Sequence, residues 1–261
     1  MTDVAAGRLA AAILRRLRRG LDAVDDRLPH GRRTVDYHGF QLVHSRGSSL
    51  VRRLREQGSY EPKITAAIVE AVESSGRRTF VDVGANIGII SLAVLAAVPD
   101  ARAYAFEPGP RQHELLTRTV ARNGLEQRLV VSPVALADKP GSVQFVVHSP
   151  KHNAGDGLRD TGRAGRGATA TVRADTLDNW WEQTGRPRVD VVKVDTEGSE
   201  LLVLRGGEAL VAECRPTLFL EAHEENVRVY PYEIADEVEW LEQRGYAVEW
   251  LGRADLVARP R

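Results

Sequence analysis

Residues 80–97 read FVDVGANIGIISLAVLAA: an apolar, strand-like run ending at Asp82, a turn of small residues, then an apolar helical run. The same unit recurs downstream. TFVDVG (79–84) passes into NIGIISLAVLAAV (86–98). RAYAFEP (102–108) passes into a helical stretch from 110 to about 123 that stops at Asn123-Gly124, and RLVVSPVAL (128–136) is a third strand. Strands alternating with helices at this spacing build βαβ units, and βαβ units build a parallel sheet. The rhythm resumes with a helix over 175–184, a strand over 189–198, a helix over 199–211, a strand over 216–223, a helix over 232–244 and the strand YAVEWL (246–251).

The alternation breaks once. GSVQFVVHS (141–149) and ATATVRADTL (168–177) read as two strands around PKHNAGDGLRDTGRAGRG, 18 residues with five glycines and with Arg159, Arg163 and Arg166, entered through Lys151 and His152. A loop of this length inside a compact domain is a lid, a binding loop or an unstructured insertion; the reading taken here is a lid over an acceptor pocket, its cations holding an anionic group. Ahead of the regular region, TVDYHGFQLVHS (34–45) reads as a strand or hairpin turning at Gly39. Residues 49–75 read as two helices broken at Gly58 and Pro62. The predicted architecture is therefore α/β, a doubly wound, mostly parallel sheet over 76–261, with an N-terminal helical and hairpin cap over 1–75 and an inserted hairpin and lid.

The cap begins with one stripe to place. Leu9, Ile13, Leu14, Leu17, Leu21 and Val24 share a helical face, with Arg15, Arg16, Arg18 and Arg19 clustered beside it. Such a helix packs on its own domain, joins a second copy as a homo-oligomer contact, or lies on a membrane surface. No run of 18 apolar residues exists, so no membrane-spanning helix is predicted. Lys plus Arg equals Asp plus Glu at 36 each, and a balanced chain has no global field to draw it to nucleic acid. Cys214 is the single cysteine, which leaves no internal disulfide framework and no cysteine zinc cluster. A soluble, cytoplasmic domain is expected.

Asp82 poses the chemical question. A helix N-terminus attracts anions, so a turn that held phosphates there would not carry a carboxylate. A dinucleotide reading makes Gly84 the start of a Gly-rich fingerprint and gives Glu107 the ribose hydroxyls. The middle glycine that admits a pyrophosphate would then fall at 86, which is Asn86. The competing ligand is S-adenosyl-L-methionine, which is cationic at its amino group and sulfonium and has no phosphate. Asp82 then complements positive charge, Gly84 and Gly88 let the backbone approach, and Glu107 bridges both ribose hydroxyls. Electrostatics favours the second.

The blocks FVDVGANIGIISLA, AFEPGP, LLTRTVARNGL, PVALADKPGSVQF, TLDNW, VDVVKVDTEGSELLVLRGGEALV and LFLEAHEE follow one another over roughly residues 60–225, and in this order the chain resembles the FkbM-like S-adenosylmethionine-dependent methyltransferases. The resemblance implies that Asp82, Gly84, Asn86 and Gly88 hold the methionine part. It further implies that Glu107 holds the ribose and Asp138 meets the adenine amino group; an Asx turn is the other reading of Asp138. SYEP (59–62) is family-like too, so Tyr60 and Glu61 are expected near the cofactor, with S-adenosyl-L-homocysteine as the product. The tail departs from the pattern: GRADLVARPR (252–261) leaves little room for the usual closing antiparallel strand.

On the acceptor side, KVDTEG puts Lys193, Asp195 and Glu197 at alternate positions of an extended strand, and LEAHEE puts Glu221 and His223 together on the next. The other reading of Glu197 is a helix N-terminal charge, and that of His223 a solvated rim residue. Transfer from a sulfonium is an in-line displacement that needs positioning and, for an alcohol, a base. His223, titrating nearest neutrality, is the expected base, Glu197 the reserve, and Asp195 positions the acceptor. The cluster is compatible with Mg²⁺, but no spacing demands a metal. The Asn/Asp-Pro-Pro-aromatic block of nucleobase amine methyltransferases is missing at VDTEG, so oxygen is the expected acceptor atom: a small-molecule hydroxyl first, a carboxyl second. An NAD-dependent dehydrogenase and a non-enzymatic cofactor-binding module are the remaining alternatives.

Overall fold

The computed structural model describes residues 33–148, 155–162 and 167–261. The N-terminal stripe and the loop residues Lys151, His152, Arg163 and Arg166 lie outside them. A hairpin of β1 (Arg33–Tyr37) and β2 (Phe40–His44) turns at His38-Gly39 and is followed by α1 (Ser49–Gln57) and α2 (Pro62–Glu73). Gly58 ends α1 in the left-handed region, and Pro62 opens α2, each where its backbone chemistry suits it.

Then come β3 (Thr79–Val83), α3 (Ile89–Ala97), β4 (Arg102–Phe106), α4 (Pro110–Asn123) and β5 (Leu129–Ser132). The pair β6 (Ala135–Leu136) and β7 (Gly141–Val147) precedes β8 (Ala168–Asp175), α5 (Leu177–Gln183) and β9 (Val191–Val194). The remainder is α6 (Glu200–Arg205), α7 (Glu208–Cys214), β10 (Thr217–Glu221), α8 (Glu224–Val227), α9 (Ile234–Gln243), β11 (Tyr246–Trp250) and β12 (Asp255–Pro260).

Seven strands form the central sheet in the order β11-β12-β10-β9-β3-β4-β5. The five from β10 to β5 are parallel, and β12 runs antiparallel to both of its neighbours. The expected doubly wound, mostly parallel sheet is what forms. Alternate residues of β3 feed opposite faces: Phe80 joins Leu42, Leu50, Ile68 and Leu92 on one side, Val81 joins Trp181, Leu201 and Leu241 on the other. Residues 35–72 thus share a core with the sheet. β3 is buried at every position, as befits a strand covered on both faces, and this places Asp82 in an apolar layer.

Four elements differ from expectation. β5 stops at Ser132 because Pro133 has no N–H for the ladder; Ala135 and Leu136 pair instead with β8 in a separate three-stranded sheet. The helix over 199–211 is two helices, broken at Gly206-Gly207, where a Cβ at Gly206 would lie 2.1 Å from the Ala137 carbonyl oxygen, so that glycine alone fits there. β9 ends at Val194, short of the expected 198. The tail does make the closing strand: DLVARP turns back through Gly252 and pairs between β10 and β11. Six residues suffice because Leu256, Val257 and Ala258 are all buried. No helix among the described residues is long and apolar enough to cross a membrane.

From β3 the chain steps outward to β4 and β5, then returns to β3's other edge as β9. Ligands of open α/β sheets sit outside the strand carboxyl ends at this reversal.

Candidate functional site

A cavity of about 410 Å³ opens there, walled by the ends of β3, β4, β9 and β10, by α1 and by part of the inserted loop. Asp82 and Lys193 are register partners on β3 and β9. Asp82 is fully buried; one oxygen accepts from Ser91 Oγ at 2.6 Å and the other faces Lys193 Nζ at 3.2 Å. Lys193 Nζ also reaches Gly84 O at 3.3 Å and Asp195 Oδ2 at 3.4 Å. Burial disfavours the Lys193 charge, but Asp82 and Asp195 outweigh it and hold the ammonium above its ordinary range. Asp82, expected to complement a ligand's positive charge, thus already has a protein partner in Lys193, and it still lines the cavity.

The glycines also have a different reason. A Cβ at Gly84, whose φ is +77°, would sit 1.8 Å from the Asp195 carbonyl oxygen; the crossing of β3 and β9 requires glycine. A Cβ at Gly88 would strike Leu116 Cδ1 at 2.4 Å, and Gly88 is not among the lining residues, whereas Gly84 and Asn86 are.

Glu107 ends β4 with its carboxyl buried. Oε1 accepts from Gly109 N at 2.7 Å and Oε2 from Asn86 N at 2.8 Å. Burial still pushes its pKa up to about 8 against those two bonds, with Asp156 adding repulsion. Each oxygen keeps a lone pair for a further donor.

Another part of the cavity gathers Asp195, Glu197 and Glu221, whose carboxylate oxygens lie within 4.8 Å of one another. A turn achieves this rather than strand alternation: the chain leaves β9 at Val194, and Glu197 (φ +56°) and Gly198 (φ +102°) curl left-handed. Glu200 shapes that turn, its Oε1 accepting from Thr196 N at 2.7 Å, Thr196 Oγ1 at 3.1 Å and Gly198 N at 3.2 Å. Its only sequence signal is an acid in a helix's first turn. Burial first, then Asp195, Glu197 and Glu200, raise the Glu221 carboxyl well above its usual range, although Asn226 Nδ2 donates to it at 2.8 Å. Three carboxylates so placed are compatible with a divalent cation; nothing else in the site requires one.

Tyr60 and Glu61 line the cavity. Glu61, at φ +42° on the N-terminus of α2, is raised to about 7 by burial and then by Asp195. Three expected residues do not line it: Gly88, His223 and Asp138. His223 lies beyond the end of β10, so the two-residue alternation that would pair it with Glu221 has lapsed; it caps α8 instead. Asp138 is 35% exposed along its side chain and pairs with Lys139 at 3.8 Å.

Of the loop, Gly155, Asp156 and Leu158 reach the cavity. Gly157 exchanges backbone bonds with Val146 at 2.8 and 3.2 Å, and Arg159 donates to Val229 O at 3.0 Å and covers the Tyr230 ring at 5.0 Å. Arg228 donates to Thr161 O at 3.4 Å. The described part is a strap tied at both ends, with Arg159 turned to α8's end. The guanidinium side chains among the lining residues are Arg52 and Arg53 of α1. Sequence reasoning missed them, Asp156 and Gln112.

Residues 82–248 match the methyltransferase FkbM domain family. The chain is similar to the methyltransferase sdnD of Sordaria araneosa, 27% identical over 183 residues that cover 60% of this chain and 70% of that protein. It is 27% identical to the 2-O-methyltransferase NoeI of Sinorhizobium fredii, covering 64% and 74%. It is 30% identical to the hexuronic acid methyltransferase AglP of Haloferax volcanii over 154 residues, 59% of each. Among solved structures, an FkbM methyltransferase of Methylobacillus flagellatus aligns at TM-score 0.49 and 16% identity, over 80% of this chain and 52% of that one. A Staphylococcus aureus protein provisionally named a caffeoyl-CoA O-methyltransferase aligns at TM-score 0.51 and 11% identity over 81% and 93%, a likeness of fold.

Proposed function

The chain belongs to the FkbM methyltransferase family, and on that footing we propose that it is an S-adenosylmethionine-dependent O-methyltransferase acting on a hydroxyl of a small molecule, a sugar or natural product. The carrying observation is the charge of the cavity between Glu107 and Glu221. Lys193 balances Asp82 and also faces Asp195, while Glu197, Glu221 and Glu61 crowd further carboxyls into the same wall, Glu61 and Glu221 pushed up by burial and by Asp195. That wall suits a cation and repels the pyrophosphate of a dinucleotide.

When bound, the cofactor supplies a methyl group made electrophilic by its sulfonium. Glu107 would accept from the ribose hydroxyls, and Asp82, Lys193 and Ser91 fix the end of β3, which would hold the methionine part. Asp195 and Glu197 orient the acceptor hydroxyl. Glu221, in place of His223, takes its proton, since burial among like charges raises its carboxyl well above the usual range. A carboxylate acceptor would meet three like charges, so the hydroxyl reading leads. The relatives that methylate a 2-O position and a hexuronic acid support a carbohydrate acceptor.

One observation favours an acceptor that is anionic away from its reacting oxygen: Arg52 and Arg53 line the cavity and form no ion pair among the described residues. Calorimetric titration with S-adenosyl-L-homocysteine and with NAD tests the cofactor; binding of NAD alone rejects the proposal. Labelled-methyl transfer to paired neutral and acidic sugars tests the acceptor.

A further inference from the structure

The Glu107 end of the cavity is built from acceptors. Glu107 uses both oxygens on backbone N–H groups. Beside it, Gln112 Nε2 donates to Asp156 Oδ2. An ionised carboxylate can only accept, so the amide orientation is fixed and Gln112 Oε1 points elsewhere. Gln112 is 1% exposed, and that Oε1 has no hydrogen-bond partner among the described residues. A Cβ at Gly109 would lie 2.7 Å from Glu107 Oε1 and 2.9 Å from Gln112 Oε1, so both acceptors border one small space. Asp156 completes the group. Its Oδ1 accepts from His148 N at 2.6 Å and from His148 Nδ1 at 3.2 Å, its side chain is 5% exposed, and it lines the cavity.

Gln112 Oε1 lacks a donor, and Glu107 and Asp156, whose oxygens already accept from protein donors, keep lone pairs for more, so this end suits a ligand whose polar groups donate. Adenosine offers two ribose hydroxyls and one exocyclic amine. With the hydroxyls on Glu107, the amine is left for the next acceptor along the wall. Resting on the S-adenosylmethionine reading above, we propose that Asp156, steadied by Gln112 and His148, accepts from the exocyclic amino group of the base. Asp138, to which the resemblance assigned that contact, is half-exposed and outside the cavity lining. The specificity-determining carboxylate would then come from the inserted strap and not from the strand end that precedes it.

The experiment is calorimetric titration with S-adenosylhomocysteine and with S-inosylhomocysteine, in which a carbonyl replaces the amine. The parent protein should prefer the adenine ligand by about tenfold or more, the worth of one charge-assisted hydrogen bond. Asp156→Asn should weaken the adenine ligand and bring the two within about threefold, because its amide can donate to the carbonyl. Asp138→Asn should change neither. Gln112→Met provides a second route should the asparagine variant fold poorly, and it too should narrow the gap. If Asp156→Asn keeps the preference, or Asp138→Asn erases it, the proposal is overturned. Failure of the parent protein to bind either ligand would overturn the cofactor reading itself, an outcome distinct from binding both equally.

Discussion

Replacing Glu107 by glutamine separates what the residue does for the fold from what it does for a ligand. In the folded chain burial holds its pKa at about 8, against the ordinary 4.5. Between those values the folded state keeps a proton that the unfolded chain has released, so stability falls as pH rises. At pH 7 that gap spans about 2.5 pH units, and at 1.36 kcal/mol each the carboxyl costs the empty protein ~3 kcal/mol. Glutamine never ionises. It keeps one acceptor for Gly109 or Asn86 and turns its amide toward the other N–H, which costs about 1–3 kcal/mol at every pH. The variant should therefore match or trail the parent near pH 5 and gain on it steadily. Urea unfolding at pH 5 and pH 8 should show the parent losing about 3 kcal/mol more than the variant over that range. Ligand binding should go the other way. Hydroxyl donors favour the ionised carboxyl, so S-adenosylhomocysteine binding at pH 7 should release close to one proton from the parent and none from the variant. The variant should also bind about 1.5–3 kcal/mol more weakly. Titrations in buffers of different ionisation enthalpy read both quantities. Parallel stability curves, or equal proton release, would refute the reasoning.

Three further outcomes follow from the geometry. Asp82→Asn should cost about 3 kcal/mol or more, because it strips a buried ammonium of its best partner, and adding Lys193→Met should recover much of the loss. A single-variant loss under about 1 kcal/mol in denaturant unfolding would show that Asp195 suffices. Gly84→Ala should lower stability by about 3 kcal/mol or more, from left-handed strain plus overlap with the Asp195 carbonyl; a thermal midpoint unchanged from the parent would reject that account. Glu221→Gln should cut the transfer rate about 10²-fold or more with cofactor affinity intact, while His223→Ala stays within about threefold. The reverse pattern in single-turnover assays would return the base to His223.

Much of the fold was readable because the sequence periods report it directly. Apolar strands such as TFVDV announce burial on both faces, and Asn123-Gly124 marks the end of α4 by its backbone freedom. Asp82, Glu107 and Asp195 could be singled out for one reason: each sits at or just past the carboxyl end of a strand, where a parallel sheet places ligands. What strand parity cannot do is run past the strand. His223 was assigned by extrapolating a two-residue period beyond Glu221, where the chain had already turned into α8. The glycines were read as making room for a ligand, yet their Cβ atoms would strike Asp195 and Leu116, contacts known only once β9 and α4 are placed. Asp156 lay in a stretch with no period at all, and nothing local ties it to Gln112, 44 residues earlier.

The Asp82–Lys193 pair bears on the protein's history as well as its chemistry. The two are 111 residues apart in sequence and direct neighbours across adjacent strands. Losing either alone leaves a buried charge short of its main partner, a loss of about 3–5 kcal/mol in a fold whose whole margin is about 5–15 kcal/mol. A lineage can leave this arrangement only by changing both positions nearly at once, so drift will erase side chains at the rim long before it touches the pair. A descendant that had ceased to transfer methyl groups would still carry both residues. Their presence in a homologue is therefore a record of shared ancestry, and, on the function proposed above, the rim carboxylates Asp195, Glu197 and Glu221 are the better register of whether the enzyme still works.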